Sequence, residues 1–324
     1  MILLTGGAGF IGTNVMKYLN EEGLQDILLV DNIGHSDKWE NTLDCRFMAY
    51  SHKDEFFSEI EKYQSKLRAV IHLGACSSTT EKDFDYLIRN NLSYSQKLWT
   101  ISAECQIPFV YASSAATYGD GSVGFSDCHS LLSHLKPLNR YGLSKHLFDI
   151  WALEQKKAPP VWVGFKYFNV YGPYEFHKGR MASMVLHGYR QILSTGKIEL
   201  FASDKENCQD GDQIRDFIYS RDVARMTVFP LQHKVESGIY NIGTGTGRTF
   251  NELSLSLFEA MGRSPCIDYI PMPNDLRSKY QYYTEANTKK ISESAFASAF
   301  SEVKPIEEGV KEYVHFMDNH QSLS

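Results

Sequence analysis

The sequence predicts an α/β fold: a Rossmann-type doubly wound parallel sheet with a smaller C-terminal substrate-binding lobe. Three observations carry that expectation. The chain opens MILLTGGAGFIG, an apolar run met at once by glycines. A second apolar run, residues 27–30, ends at Asp31, about 20 residues beyond the glycines, where an acidic side chain reads an adenosine ribose. Strand-like and helix-like segments then alternate through the first half of the 324 residues.

Residues 2–5 suit a buried parallel strand. Gly6, Gly7, Gly9 and Gly12 follow, and residues 10–20 carry helical spacing, with Ile11, Val15 and Leu19 on one face and Gly23 as a stop. Strand, glycine turn and helix in that order cradle a dinucleotide. Gly7 and Gly9 let the backbone approach a pyrophosphate, Gly12 lets the helix pack on the strand, and the helix N-terminus offers free N–H groups. A polar loop with Lys38 follows Asp31, and Lys53 lies in the next polar segment. Asp31 favours a free 2′-hydroxyl and hence NAD. A nearby cation favours a 2′-phosphate and hence NADP, so these residues alone leave the choice open.

Residues 69–75 (AVIHLGA) form the next strand, ending in the small residues Gly74, Ala75, Cys76 and Ser77, across which a cofactor can lie. Ser78-Thr79-Thr80-Glu81 has capping-box form and predicts a helix carrying Phe84, Leu87, Ile88, Leu92, Ser95 and Leu98 on its buried face. Asn90 and Asn91 fall inside that helix, where Asn is a poor former. Each is either solvated or holds a backbone beside the cofactor.

Residues 108–114 (PFVYASS) are a further strand, ending at Ser114. After a loop come Tyr141 and Lys145, one helical turn apart and so on one face. Tyr-x-x-x-Lys alone means little; behind a dinucleotide cradle and a strand ending in serine it defines a chemistry. A phenol has a pKa near ~10 and is a poor base at neutral pH. The Lys145 ammonium and an oxidised nicotinamide would stabilise the phenolate, so Tyr141 takes a hydroxyl proton while hydride leaves the same carbon. Ser114 would stabilise charge on that oxygen.

Residues 161–170 (VWVGFKYFNV) read as the next sheet strand, running into the breaker Tyr171-Gly172-Pro173. His177-Lys178-Gly179-Arg180 is a compact cationic loop, joined later by Arg215 and Arg277, and is suited to a substrate diphosphate. Thr249-Phe250-Asn251-Glu252 has a second capping-box form. The expected organisation is a cofactor domain over residues 1–168, with 216–243 rejoining it, and a substrate lobe from 169–215 and 244–324.

Net charge is −6 and spread along the chain, which gives no support to binding nucleic acid or an anionic membrane. No export signal and no membrane-length apolar run is legible, so the expected location is the cytoplasm. The six cysteines form no C-x-x-C pair and no zinc spacing; reduced thiols and no metal are expected.

Taken together, the motifs resemble the extended short-chain dehydrogenase/reductase family over nearly the whole length. They are Gly6-Gly7-Ala8-Gly9-Phe10-Ile11-Gly12, Tyr111-Ala112-Ser113-Ser114 with Tyr118-Gly119, Tyr141-x-x-x-Lys145, and Arg215-Asp216-Phe217-Ile218-Tyr219 with Asp222-Val223. Within it, Gly74-Ala75-Cys76-Ser77-Ser78-Thr79-Thr80-Glu81, Phe168-Asn169-Val170-Tyr171-Gly172-Pro173 and His177-Lys178-Gly179 with Met181-Ala182-Ser183 resemble the ADP-heptose 6-epimerases. That resemblance implies tightly held NADP and redox-neutral inversion at C6 of an ADP-heptose through a transient 6-keto sugar. It implies acid/base roles for Tyr141 and Lys178, with Ser114 and Lys145 beside them. Cofactor contacts would come from Gly6, Gly9, Phe10, Ile11, Gly12, Asp31, Asn32, Lys38, Lys53, Gly74, Ala75, Cys76, Ser77, Asn90, Lys145, Val170 and Lys178, with Leu73 where an acidic residue can stand. Asn169, Arg180, His187, Phe201, Ser203, Asp204, Arg215 and Tyr280 would contact the sugar nucleotide. It further implies a homo-oligomer, a pentamer, in lipopolysaccharide inner-core synthesis. The loops before Tyr141 and before Arg215 are longer than the family's pattern. The alternative is another nucleotide-sugar epimerase or dehydratase, such as a UDP-hexose 4-epimerase. A dehydratase wants a carboxylate pair near Ser114, which Ser114-Ala115-Ala116 does not supply.

Overall fold

Strand β1 (Ile2–Thr5) is buried along its whole length, and its side chains alternate between two cores. Leu3 packs in one with Leu98, Trp99 and Phe148. Ile2 and Leu4 pack in the other with Val15, Met16, Leu19, Ala224 and Val228. A strand covered on both faces has no polar side to show, hence the unbroken apolar run. The computed structural model describes residues 1–273, 277 and 280–320.

Around β1 lie β2 (Ile27–Asp31), β3 (Ala49–His52), β4 (Ala69–His72), β5 (Phe109–Ser114) and β6 (Trp162–Tyr167). Then come β7 (Asn169–Tyr171), β8 (Ile198–Phe201), β9 (Ile214–Arg215), β10 (Phe217–Tyr219), β11 (Gly238–Ile242), β12 (Arg248–Thr249) and β13 (Ile267–Ile270). The central sheet has seven strands in the order β11-β6-β5-β4-β1-β2-β3, all parallel. The order reverses between β1 and β4, the point where doubly wound sheets open a crevice at their carboxyl ends. Helix α1 (Phe10–Glu21) and the Ser220–Gln232 helix cover one face; the Tyr94–Cys105 and Arg140–Glu154 helices cover the other. A second core gathers Tyr171, Val185, Tyr189, Leu200, Leu257 and Tyr313 from the later chain.

Three local expectations are corrected. Ser78 caps nothing: residues 78–81 form a turn, the Glu81 carboxylate accepts from the Lys82 and Asp83 amides, and the helix starts at Asp83, whose side chain accepts from Tyr86 N. That helix is also not uniform, because Ile88–Ser93 widens to a π-helical turn. The run 161–170 is two strands, for the chain changes partners at Phe168. β6 pairs with β5 and β11, and β7 pairs with β10 in a separate two-stranded sheet. Of the segment 216–243, therefore, β11 edges the central sheet and the helix covers α1, while β10 turns to β7. The capping box at Thr249 is present in full, with both reciprocal bonds to Glu252.

Candidate active site

The glycine turn works by contact. Gly6 has φ +69°, and a Cβ there would lie 2.6 Å from Gly74 Cα; a Cβ on Gly12 would lie 2.0 Å from Gly6 O. Turn, β4 end and α1 therefore touch backbone to backbone, while Gly9, at the N-cap of α1, has only Gly6 O near its Cβ position. That open side is a cradle for a phosphate at a helix N-terminus.

A buried hydrogen-bond relay leads from this turn to the Tyr141 helix. Gly74 N donates to Thr5 Oγ1 (3.1 Å), leaving the Thr5 hydroxyl to donate to His72 Nδ1 (2.6 Å). His72 Nε2 then donates to Ser95 Oγ (2.8 Å), and Ser95 Oγ to Asn91 O (2.6 Å). Burial pushes His72 down to about 3, with Lys145 adding to the effect, so the ring is neutral and can pass the bonds on. The π-helical turn carries Asn91, which accepts from Cys76 N and donates to Cys76 O and Ser144 Oγ. Ser144 Oγ donates to Tyr141 O. Of the two readings open for Asn91, the structure selects backbone anchoring.

Two adjoining cavities of about 250 and 180 Å³ open over the turn. The first is lined by Gly9, Phe10, Ile11, Gly12, Leu73, Ser77 and Lys178; the second by Asn32, Lys53 and Asn90; Gly6, Asp31, Lys38, Gly74 and Ala75 line both. Cys76, Lys145 and Val170 are not among their lining residues. A much larger groove of about 1000 Å³ lies elsewhere, between α1 and the Ile306–Asn319 helix, and holds none of the predicted site residues. Asp31 is already engaged. Its Oδ2 accepts from Ala8 N (2.9 Å), and its Oδ1 from Asn32 N (2.7 Å) and Lys38 Nζ (2.8 Å). Lys53 Nζ donates to Asn90 Oδ1 (2.7 Å).

Asn139 caps the Arg140–Glu154 helix and so sets where Tyr141 emerges. Burial raises the Tyr141 phenol, and a hydrogen bond with the Ser114 side chain draws it back. Ser114 is itself fixed at the end of β5 by accepting from Ala116 N. Lys145 is buried, and desolvation lowers it to about 8. One turn further on, Asp149 accepts from Tyr111 and Ser113 and pairs with Lys166 of β6. The sequence reading passed over Asp149 and Lys166. The signal for Asp149 was its four-residue spacing after Lys145; Lys166 carried none, since its partner is remote in sequence.

Lys178 Nζ lies over the Phe10 ring at 4.8 Å, beside the first residue of α1. Burial lowers its ammonium and Glu175 opposes that. Lys178 lines the first cavity together with Phe10, whereas neither Tyr141 nor Ser114 is among the lining residues of either cavity. His177 departs from the cationic loop expected there: burial, Lys38 and Lys178 press it down to about 4, so its imidazole is neutral. The breaker at 171–173 is pinned, since Asn14 Nδ2 donates to Pro173 O and Asn41 Nδ2 to Tyr174 O.

Of the residues expected at the sugar nucleotide, Phe201, Arg215 and Tyr280 come together. The Arg215 guanidinium sits 5.0 Å from the Tyr280 ring centre, and the Phe201 and Tyr280 rings meet edge to face at 6.3 Å. Asp204 pairs with Arg277 (3.1 Å), and Ser203 N donates to Asp210 of the long loop. That loop is tied to Asn251, whose Nδ2 donates to Asp210 O and Asp212 Oδ1. Asn169 and Arg180 are exposed and His187 is half-buried. All six cysteines are free thiols, and no group of His, Cys, Asp or Glu among the described residues is placed to hold a metal. No described helix is long and apolar enough to cross a membrane.

A profile of the NAD dependent epimerase/dehydratase family matches residues 2–243. The chain belongs to that family. Its members at high identity include ADP-L-glycero-D-manno-heptose-6-epimerases. The Fusobacterium nucleatum protein is 47% identical over 324 residues, covering 97% of each chain, and that of Nitratidesulfovibrio vulgaris 46% over 316 residues, also covering 97% of each. Among solved structures, the Helicobacter pylori ADP-L-glycero-D-manno-heptose-6-epimerase superposes with a TM-score of 0.80 at 27% identity, covering 98% of this chain and 96% of that one. The family is NAD dependent, and the glycine cradle fits a pyridine nucleotide.

Proposed function

We propose that the protein is an ADP-L-glycero-D-manno-heptose 6-epimerase, working on ADP-D-glycero-D-manno-heptose with bound NADP. The observation that carries the chemistry is the Tyr141 phenol, drawn down by the Ser114 side chain and one helical turn from Lys145, with Lys178 lining the cavity over the glycine turn. The names of the relatives above support the substrate.

Bound nicotinamide supplies the acceptor and returning donor of the C6 hydride. Tyr141 would take the C6 hydroxyl proton, Ser114 would hydrogen-bond the oxygen as it becomes a carbonyl, and Lys145 would hold the phenol toward its ionised form. After the 6-keto sugar turns its other face, Lys178 would return a proton to the C6 oxygen. The filled hydrogen bonds of Asp31 favour NADP: Lys38 already neutralises the carboxylate that would otherwise grip a ribose diol or repel a 2′-phosphate. Gly6, Gly9, Phe10, Ile11, Gly12, Asn32, Lys53, Gly74 and Asn90 would complete that seat. Arg215, Tyr280 and Phe201 would receive the sugar nucleotide, with a cation–π contact available to its base. As parts of the same proposal, the protein is a cytoplasmic homo-oligomer, a pentamer by resemblance, serving lipopolysaccharide inner-core synthesis.

The test is to denature the purified protein, weigh the released nucleotide, and then supply ADP-D-glycero-D-manno-heptose without added cofactor. The L-isomer should appear with no net reduction of nucleotide. Turnover of UDP-glucose in its place, or stoichiometric reduced cofactor, overturns the assignment.

A further inference from the structure

The turn Phe176–Met181 carries Lys178, but it also places a second side chain in the crevice that the proposed chemistry leaves unused. His177 is half-buried and lines the cavity beside Gly9, Asp31, Lys38 and Lys178. Its orientation is set by Asn41. The side-chain nitrogen of Asn41, a residue only 7% exposed, lies 3.0 Å from Ala8 O in the glycine turn, 3.2 Å from Tyr174 O and 3.2 Å from His177 Nδ1, so its two N–H groups are shared among three acceptors. With Nδ1 accepting, a neutral ring must carry its proton on Nε2. No described residue accepts from Nε2. The ionic surroundings are mixed: Lys38 and Lys178 oppose a charge on the ring, Asp31 and Asp37 favour one, and burial keeps it neutral.

A fixed, neutral N–H donor that lines one cavity with two lysines and the open side of a helix N-terminus suits an anion. We propose that His177 is a ligand for a cofactor phosphate, donating from Nε2 while Asn41 holds Nδ1. The proposal rests on the reading of the crevice as a dinucleotide site. It adds that the turn bearing Lys178 closes on the cofactor through a direct bond, so seating the nucleotide and seating that lysine are one event. The phosphate is either the pyrophosphate, common to NAD and NADP, or the 2′-phosphate of NADP alone.

The experiment measures NADP and NAD affinity on nucleotide-stripped protein, by fluorescence of the reduced forms, for wild type, His177→Ala and His177→Gln. The alanine variant should bind about ten- to hundredfold more weakly, the range of one hydrogen bond to a charged group. Glutamine, whose amide reaches the Nε2 position, should recover most of the loss. An equal loss for both nucleotides places the bond at the pyrophosphate; a loss for NADP alone places it at the 2′-phosphate. Unchanged affinity in His177→Ala overturns the proposal. A loss that glutamine does not relieve also overturns it, because the cause is then the broken contact with Asn41. Wild type that binds neither nucleotide defeats the dinucleotide reading itself, an outcome separate from both.

Discussion

The Asp149 carboxylate lies 2.6 Å from the Lys166 ammonium, and neither side chain is reached by solvent. Thr117 Oγ1 accepts a further bond from Lys166, and Tyr111 and Ser113 fill the carboxylate. Breaking a buried pair strands one charge at a cost of about 3–5 kcal/mol. Lys166→Met should lose stability of that order in urea unfolding. Adding Asp149→Asn should return part of it, because the stranded charge is then gone. Costs that simply add would show that the two groups do not act as a pair.

Lys145 gives the second prediction. Its folded value is about 8 against an ordinary 10.5, so the unfolded chain binds more protons here between those values. Stability from this group therefore rises with pH across that window, and below about 8 the folded protein bears the full penalty, about 3 kcal/mol. Lys145→Met should be more stable than wild type at pH 7, should lose that advantage as pH rises past ~10, and should not turn over. Parallel unfolding free energies at both pH values would contradict this.

The proposed preference for NADP rests on Lys38. With Lys38→Ala the Asp31 carboxylate loses its partner ion, so a 2′-phosphate meets an uncompensated negative charge. The ratio of NADP to NAD affinity should fall at least about tenfold, by the worth of one charge-assisted hydrogen bond. Fluorescence titration of stripped protein with both nucleotides measures it, and an unaltered ratio removes Lys38 from discrimination.

The proposed acid–base work divides between Tyr141 and Lys178. Tyr141→Phe and Lys178→Met should each cut turnover by about 10²–10⁴-fold while the purified protein still releases nucleotide on denaturation. A Lys178→Met enzyme with wild-type kcat would leave both proton transfers to the Tyr141 side.

Short-range signals were the legible ones. The glycine spacing, the Thr249 box and the Tyr141–Lys145 turn are fixed within a few residues, and each appears in the structure at its place. Ser78-Thr79-Thr80-Glu81 carried an equally good local signature, but the Glu81 carboxylate turned to the amides of Lys82 and Asp83, and Asp83 took the cap. The π-helical turn was invisible because its cause is tertiary: Asn91 must reach Cys76 and Ser144 at once. His177 looked cationic in a row of basic residues, yet burial, with the neighbouring ammonium groups adding to it, keeps it neutral. The break at Phe168 left no trace, since every residue from 161 to 170 is acceptable in a strand.

That break has a mechanical side. Phe168 is the sole residue between β6 and β7, and its ring is wedged against Tyr118 and Phe125. One residue offers two soft torsions, and here they are packed in place. The chain therefore has no slack where the central sheet hands over to the Tyr189 core. Any swing of that core would be transmitted as through a short stiff crank, carrying Asn169 and Val170 with it. A spacer of even a few glycines inserted after Tyr167 would turn the crank into a cord.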